Sequence, residues 1–321
     1  MKHMTAAFCQ YGLALLAVLA LNFLLIHMMP GDPLVHILGE EGYYQMTRQP
    51  PAYIEKIRET YQLNDSLLKQ FLTHILRALQ GDLGWSHHHG MAVSKIIYPR
   101  MGWTLLLLIP SVIISTMAGG TLGALAGGSP RGWMDRILTP FFLLIYSIPA
   151  YCLGLFLLIL AFHVDALPMG GMPSGKTDMA LYMMMPMGVL ILHSTAYKYI
   201  IMKNAVIQEI HEAYVMTARS KGLDDRGILF GHVVKNALPP FITVVAMHFG
   251  FMMGGSLVVE MVFSWQGMGT LIYDAVISRD YPLISGSFMI ICASVILANA
   301  LADVIHGCLD PRIRSGNRSN E

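Results

Sequence analysis

The sequence predicts an all-α integral membrane protein with six transmembrane helices, both termini cytoplasmic, and a periplasmic or extracellular loop domain after the first helix. Of its 321 residues, 55% are hydrophobic and only 13% are charged, whereas a soluble domain carries roughly 25% charged residues. The apolar residues are gathered into long segments, and outside the long loop 30–101, whose own charges count for little in the orientation, Lys and Arg are concentrated in alternate loops and the tail. The formal net charge of +1 gives no reason to expect nucleic acid as a partner.

A helix needs about 20 apolar residues to span a bilayer. Six segments are long enough, at about 9–29, 102–127, 137–162, 182–202, 239–262 and 284–307. The first segment is longer than the apolar core of a signal peptide, and no cleavage site is evident before residues 30–33, so a retained anchor is predicted. Prolines at positions 110, 140, 149 and 186 are predicted to kink the spans.

The Lys and Arg residues set the predicted orientation. The loops 128–136 and 203–238 and the C-terminal tail are rich in these residues, while the short loops on the other side carry only Lys176 and Arg279. The positive-inside rule therefore places both termini and residues 203–238 in the cytoplasm. The predicted parts are the first span with the outer loop domain, a core of five spans that includes loop 203–238, and a cytoplasmic tail, at 1–101, 102–307 and 308–321.

Two further patterns concern packing. Residues 52–80 have the periodicity of an amphipathic helix, which is typical of a small cap packed on a bundle. Glycines recur four residues apart in two spans, a spacing that lets helices approach closely. They are Gly119, Gly123 and Gly127 in the second span, and Gly250 and Gly254 in the fifth. Packing within one subunit and packing between subunits are both compatible with this spacing.

One nucleotide-binding motif lacks the context that it requires. Residues 170–177, GGMPSGKT, match the phosphate-loop pattern letter for letter. A phosphate loop needs a strand before it and a helix N-terminus after it. Here one span precedes the motif, another follows shortly, and the loop faces outside. We therefore predict that this chain does not bind ATP itself.

The most polar long stretch of the core is 211–240. Good helix formers occupy about 205–221, Gly222 is placed as a C-terminal stop in a left-handed conformation, and Asp224 and Asp225 suit the start of a second helix. A helix–Gly–helix hairpin that projects into the cytoplasm is one interpretation. An ordinary solvated loop is the other.

Motifs along nearly the whole chain decide between these interpretations. The segment EAYVMTARSKGL (212–223), followed by KNALPP (235–240), resembles the cytoplasmic loop of ABC importer permeases, of the dipeptide, oligopeptide and nickel branch of binding-protein-dependent transport systems. Four further stretches agree and keep the family's order: PGDP (30–33), GDLGWS (81–86), VFSWQGMG (262–269) running on to SRDYP (278–282), and LDPRIR (309–314). Gln266 departs from the family, which often has proline there.

The resemblance implies a transmembrane permease subunit in the cytoplasmic (inner) membrane of a bacterium. Such a permease moves peptides, nickel or a small metal chelate by alternating access. The implied partners are two ATPase subunits, a second homologous permease subunit, an extracytoplasmic substrate-binding protein and membrane lipid. No bond in the cargo is broken, so we expect no enzyme activity, no catalytic residue and no cofactor in this chain, with ATP hydrolysis on a separate subunit.

The resemblance also implies a role for residues in loop 203–238, which would dock into a cleft on the ATPase. Glu212 and Ala213 stand at the family's loop signature, where a small side chain allows close helix docking. We expect Gly222, Arg219 and Lys221 to belong to the same coupling surface.

Ionisable residues at membrane depth are functional candidates. We expect His248, Glu260 and His193 to line the cargo path, and the sequence around His248 and Glu260 looks closer to nickel permeases than to dipeptide permeases. A neutral, packed imidazole is the other interpretation, and no spacing is diagnostic of a metal site, so no metal ligands are predicted. The triple histidine 87–89 is expected to matter less, because a solvated loop would leave its geometry unfixed.

Two other classes of function, a self-contained transporter or channel and a membrane enzyme, would have different sequence features. A self-contained secondary transporter or channel would show inverted repeats or a charged relay in the spans, and no repeat is obvious. A membrane enzyme would need a cluster of nucleophile, base or metal ligands, which the sequence does not offer.

Overall fold

The computed structural model describes residues 2–28, 32–60, 63–164, 168, 170–173 and 179–309. These residues form helices and one short β-hairpin. In chain order the elements are α1 (Lys2–His27), α2 (Pro33–Thr47), α3 (Pro51–Thr60), α4 (Leu67–Leu79), β1 (Trp85–Ser86), β2 (Met91–Ala92), α5 (Val93–Gly128), α6 (Trp133–Ser147), α7 (Ala150–Val164), α8 (Met179–Glu209), α9 (Ala213–Ser220), α10 (Asp225–Ile228), a π-helical turn (Leu229–Val233), α11 (Val234–Val262), α12 (Met268–Ile277) and α13 (Tyr281–Leu309).

The long apolar helices make this an all-α membrane protein. Within the described residues, four helical stretches are long and apolar enough to cross a bilayer, or five if α6 and α7 form one broken span. The four are Val93–Gly128, Met179–Glu209, Asp225–Gly250 and Tyr281–Leu301. The apolar part of α1, Cys9–Leu24, is shorter.

The segment predicted as a single span over 137–162 is bent by 101° between α6 and α7. The break falls at Ile148, which has the extended dihedrals φ −96° and ψ 126°. Because Ile148 precedes Pro149, the proline ring disfavours the helical conformation at this residue. Pro140 and Pro186, in contrast, lie inside α6 and α8.

Two predicted boundaries differ from the structure. The amphipathic segment 52–80 is two helices, because Asn64, Asp65 and Ser66 favour a turn and a helix start between α3 and α4. The prolines expected to open the fifth span, at 239 and 240, lie inside α11. The helical path begins at Asp225 and passes through the π-helical turn, so the second helix of the loop runs directly into the span.

The described residues fall into two compact units. The first comprises the described parts of 1–104 and 266–296. Its β-hairpin pairs Trp85 with Ala92 and Ser86 with Met91. Asn22 of α1 donates to the Ser285 carbonyl of α13 at 3.0 Å, which joins the two helices through a buried hydrogen bond.

The second unit comprises the described parts of 105–265 and 297–321. Here α5 and α8 pack backbone against backbone. A Cβ atom on Gly123 would lie 2.7 Å from the Tyr199 carbonyl oxygen, and one on Gly127 would lie 2.8 Å from that of Lys203. The first glycine triplet therefore serves packing within the subunit. Of the second pair, Gly250 faces the side chain of Asn299 in α13.

Candidate functional site

Loop 203–238 is built around the short helix α9. Its C-terminus has the hydrogen bonds of a Schellman motif, in which Gly222 N–H donates to Arg219 O at 2.9 Å and Leu223 N–H donates to Ala218 O at 3.3 Å. Gly222 has φ +80°, so the predicted left-handed conformation is confirmed. The chain then reverses and starts α10 at Asp225.

The inner face of α9 is locked into the protein. Val215 and Ala218 are buried, 1% and 7% exposed, in an apolar cluster with residues of α5, α8, α10, the π-helical turn and α11. The members outside α9 are Ala124, Met202, Val206, Ile228, Leu229, Val233, Ala237 and Phe241. The cluster thus packs α9 against the ends of three long helices, α5, α8 and α11.

The outer face of α9 carries the predicted residues and is open. Glu212 occupies the N-cap position and Ala213 the first helical position, and both are exposed. Arg219 and Lys221 are also exposed, and Arg219 lies 3.3 Å from Asp225 in an ion pair at the surface. The structure thus brings all five predicted residues of this loop to one helix and its flanking turns.

Two residues of this region, Met216 and Tyr214, were not predicted from the sequence. Met216 is 70% exposed on the outer face of α9. Tyr214 donates to Glu209 Oε2 at 2.7 Å and also hydrogen-bonds Asn236, so it ties the end of α8 to α11. Burial raises the pKa of the Tyr214 hydroxyl. The position of Tyr214 within the EAYV motif (212–215) was the signal from which this residue could have been predicted.

A second missed contact lies beside the loop. Lys203, which the sequence suggested only as one of the cytoplasmic charges, forms an ion pair with Asp135 of α6. Its Nζ also donates to Thr139 Oγ1 at 2.8 Å, and Thr139 lies 2.8 Å from the Tyr199 hydroxyl. This network joins α6 to α8 where α8 enters loop 203–238.

The histidines predicted on the cargo path belong to a group of aromatic rings in the second unit. His248 of α11 stacks on Tyr197 of α8, with ring centroids 4.5 Å apart. Tyr197 stacks on Tyr146 at 5.7 Å, and Tyr146 lies 6.2 Å from His193. The structure thus connects His193 and His248 through two tyrosines. His248 Nδ1 is buried and has no hydrogen-bond partner among the described residues.

Glu260 lies elsewhere. It is fully buried on α11, twelve residues beyond His248, which separates the two Cα atoms by about 18 Å along a helix. The structure therefore does not bring Glu260 together with the two histidines. Among the described residues, no group of three or more His, Cys, Asp or Glu side chains could hold a metal ion.

A fully buried lysine lies beside the histidines and was not predicted. Lys198 of α8 donates from Nζ to Ser115 Oγ at 2.7 Å and to the Val112 carbonyl at 3.2 Å. Its neighbour in the chain, Tyr197, stacks on His248. No ion pair of Lys198 occurs within the described part of the chain. Its position in an apolar helix was a usable signal, because ionisable residues at membrane depth are rare.

The outer-loop motifs meet at a buried carboxylate in the first unit. Asp280 accepts a hydrogen bond from Ser86 Oγ and another from Leu283 N–H, at the start of α13. His89 Nδ1 lies 3.1 Å from Ser86 Oγ and 3.6 Å from Asp280 Oδ2. The expectation that a solvated loop leaves the triple histidine unfixed is therefore wrong for His89, because its contact with nearby Ser86 holds the ring beside Asp280.

The phosphate-loop-like segment falls partly outside the described residues, which exclude 174–178. Of its first residues, Gly171 donates its N–H to the Phe263 carbonyl at 2.8 Å. A Cβ atom on Gly170 would lie 2.5 Å from the same oxygen. Gly170 and Gly171 therefore allow this loop to pack closely against the backbone at Phe263.

Residues 119–315, well over half of the chain, match the family described as "binding-protein-dependent transport system inner membrane component". The chain belongs to this family. Curated relatives include the glutathione transport system permease protein GsiC of Escherichia coli (strain K12), 34% identical over 300 residues, and that of Shigella flexneri serotype 5b (strain 8401), 33% identical over 300 residues. Each alignment covers 94% of this chain and 94% of the relative.

Membership of this permease family confirms the main interpretation of the sequence. The protein is an ABC importer permease of the branch that includes the glutathione permeases, and a multi-pass protein of the inner membrane. It is a transport subunit and not an enzyme, because ATP hydrolysis in these systems belongs to a separate subunit. Permeases of this family work with ATPase and substrate-binding partners.

Proposed function

We propose that this permease imports short peptides of the glutathione type, and that α9 couples cargo movement to an ATPase. The main support for this coupling role is that α9 has one exposed face and one buried face. The outer face, with Ala213 and Met216, is exposed and free to dock, while Val215 and Ala218 on the inner face are buried against the long helices.

The division of faces supports a mechanical role for the loop. Closure of the ATPase pair would displace α9 as a rigid element, since its inner face has no room to slide independently. The displacement would pass to α8 and α11 through the cluster around Val206 and Val233. Tilting of these helices would switch the path between its outward-open and inward-open states.

A substitution on the outer face tests the coupling. Met216→Glu is expected to leave the permease in the membrane, to reduce co-purification of the ATPase and to lower ATP-driven uptake. His232→Glu, at an exposed position outside α9, is the control and should behave as the wild type. Unchanged ATPase binding by Met216→Glu would refute docking through α9. Uptake by this chain alone, without nucleotide, would favour a secondary transporter.

The proposed topology has six spans, with α1 as the first, α6 and α7 together as the third, and both termini in the cytoplasm. The asymmetry of Lys and Arg between the short loops supports it. In a background without native cysteines, external thiol reagents should label cysteines at positions 60 and 172 but not at 224 or 316. Labelling at 224 from outside would overturn this topology.

The proposed assembly contains two ATPases and a second, homologous permease, with residues 30–101 and 263–283 facing the substrate-binding protein. A path formed between two related subunits would explain why six spans suffice without an evident internal repeat. Native mass spectrometry of the purified complex should give one copy of this chain, one second permease and two ATPases. A functional complex that contains only this permease would contradict the heterodimer.

The proposed cargo is a peptide with a free carboxylate. The relatives' names state glutathione transport. The region of His193, Tyr197 and His248 offers imidazole and phenol groups beside the buried Lys198, with no acidic partner of Lys198 in the described part of the chain. An unpaired cation in a low-dielectric region attracts an anionic group. Faster uptake of a tripeptide than of its carboxamide, both at saturation, is the expected result, and equal rates would refute carboxylate selection.

Nickel is the second candidate, and the two histidines favour it, since imidazole is a common metal ligand. A nickel chelate would need fewer ligands from the protein than a bare ion. Competition decides between the cargoes: excess glutathione should suppress peptide uptake, and excess Ni²⁺ should not. The opposite pattern would assign the permease to nickel.

A further inference from the structure

Helix α4 has an apolar face that the described protein leaves uncovered. Leu68, Leu72, Leu76 and Leu79 follow one another along one side, and their side chains are 69%, 52%, 59% and 76% exposed. No residue of α4 is fully buried. A row of exposed leucines of this length is unusual for a helix in water and is typical of a surface that meets lipid or protein.

The opposite side of α4 fixes its position relative to α1. Phe71 and His74 lie against the ring of Phe23, with centroids 5.4 Å and 5.9 Å apart. Gln70 hydrogen-bonds His27 Nε2 at 3.0 Å. All three contacts are made to the last two turns of α1, at the end of the apolar part Cys9–Leu24.

These contacts place α4 at the edge of the bilayer. From Phe23 to His27 the rise along α1 is about 6 Å, and the apolar part of α1 ends within this stretch, at Leu24. Since the contacts all lie within this short stretch, α4 crosses the end of α1. The leucines of α4 then lie at the depth where the exposed apolar surface of α1, with Leu21 and Leu24, ends.

Charge supports lipid as the occupant. The thirteen residues of α4 include Lys69 and Arg77 and no acidic residue. Both basic residues are exposed; Lys69 lies beside the leucine row on the helical wheel and pairs with Asp65 before the helix, and Arg77 lies on the polar side. A basic polar face next to an apolar face is the pattern of helices that lie in the plane of a membrane, because the basic groups reach lipid phosphates.

We propose that α4 is a monotopic helix that lies in the bilayer surface, with Leu68, Leu72, Leu76 and Leu79 inserted among the lipid chains. It anchors the outer loop at the height of the membrane boundary, next to α1. This assignment is independent of the cargo and of the coupling through α9.

Nitroxide scanning in the assembled transporter tests the proposal. The native cysteines at 9, 152, 292 and 308 are replaced by serine, and the complex is placed in lipid nanodiscs. Single cysteines then replace Leu72 and Leu76 on the apolar face, or the adjacent Thr73 and Arg77 as matched controls on the polar face. Power saturation compares accessibility to oxygen, which concentrates in lipid, with accessibility to a water-soluble nickel chelate.

Labels at 72 and 76 should be several-fold more accessible to oxygen than to the nickel chelate, and labels at 73 and 77 should show the reverse. Equal access of the chelate to 72 and 73 would show a solvated cap and overturn the proposal. Shielding of 72 and 76 from both reagents would assign the leucines to a protein partner and also overturn it.

A second measurement avoids the cysteine replacements. A photo-crosslinking amino acid at Leu76, in the chain with its native cysteines, should give lipid adducts by mass spectrometry. Adducts to the second permease or the binding protein would contradict the proposal.

Discussion

The turn after α9 allows a sharp test of the coupling proposal, because substitutions there act on the backbone alone. Gly222 has φ +80°, and a Cβ atom built on it would meet no heavy atom within 4 Å. Steric contact with neighbours therefore contributes nothing to the cost of a side chain. The cost is that of the left-handed conformation, about 1–2 kcal/mol for an ordinary L-residue, larger for a β-branched one and smaller for Asn.

The magnitude follows from this conformational penalty. A free-energy difference of about 1.4 kcal/mol changes an equilibrium constant tenfold. Gly222→Val should lower the equilibrium constant for forming the Schellman turn by about tenfold or more, and ATP-driven uptake should fall with the fraction of intact turn. Gly222→Asn should lose less than about threefold, since Asn tolerates this region of φ and ψ.

The assay measures membrane abundance, ATPase co-purification and cargo uptake for the wild type, Gly222→Asn, Gly222→Ala and Gly222→Val. We expect unchanged abundance and docking of the binding protein, with uptake decreasing in that order. Normal uptake by Gly222→Val would show that the loop is a solvated connector. Equal loss in the Asn and Val variants would show that the left-handed backbone is not the cause.

Three other predictions follow from the structure. Gly127→Val should destabilise the permease by about 1–3 kcal/mol, because the new side chain would overpack against α8. Gly188→Ala is the control, since a Cβ atom there has open space around it, and it should leave the midpoint of thermal unfolding in detergent unchanged. Equal midpoints for the Gly127→Val variant and the wild type would contradict the close packing of α5 and α8. Lys203→Met should lower the free energy of unfolding by about 1–3 kcal/mol, because it leaves the half-buried Asp135 without its cation. A double variant that also carries Asp135→Asn should recover part of this stability. His248→Ala should lower uptake more than alanine at all of 87–89, and the reverse order of effects would exclude His248 from the cargo path.

Several features of the fold and the site follow from local sequence and could be predicted. A hydrophobic fraction of 55% fixed the class of protein, because only a membrane accommodates such long apolar segments. Gly222 and Asp225 marked the end of one helix and the start of the next, since capping depends on a few adjacent residues. The five family motifs identified the permease and singled out residues of loop 203–238 that the structure leaves exposed.

Helix continuity was predictable only in part. Pro149 and Pro240 look alike in the sequence, yet the chain breaks by 101° before the first and stays helical through the second. A proline removes one donor and restricts one neighbour, and the surrounding helices decide whether the chain bends.

The tertiary structure decided which distant residues meet. Sequence alone determined that this is an α-helical permease, because composition and motifs are properties of short segments. It could not show that Lys203 pairs with Asp135, that Asp280 holds His89, or that Lys198 lies beside His248. Each of these contacts joins residues far apart in the chain, and only the packing of whole helices brings their side chains within a few ångströms.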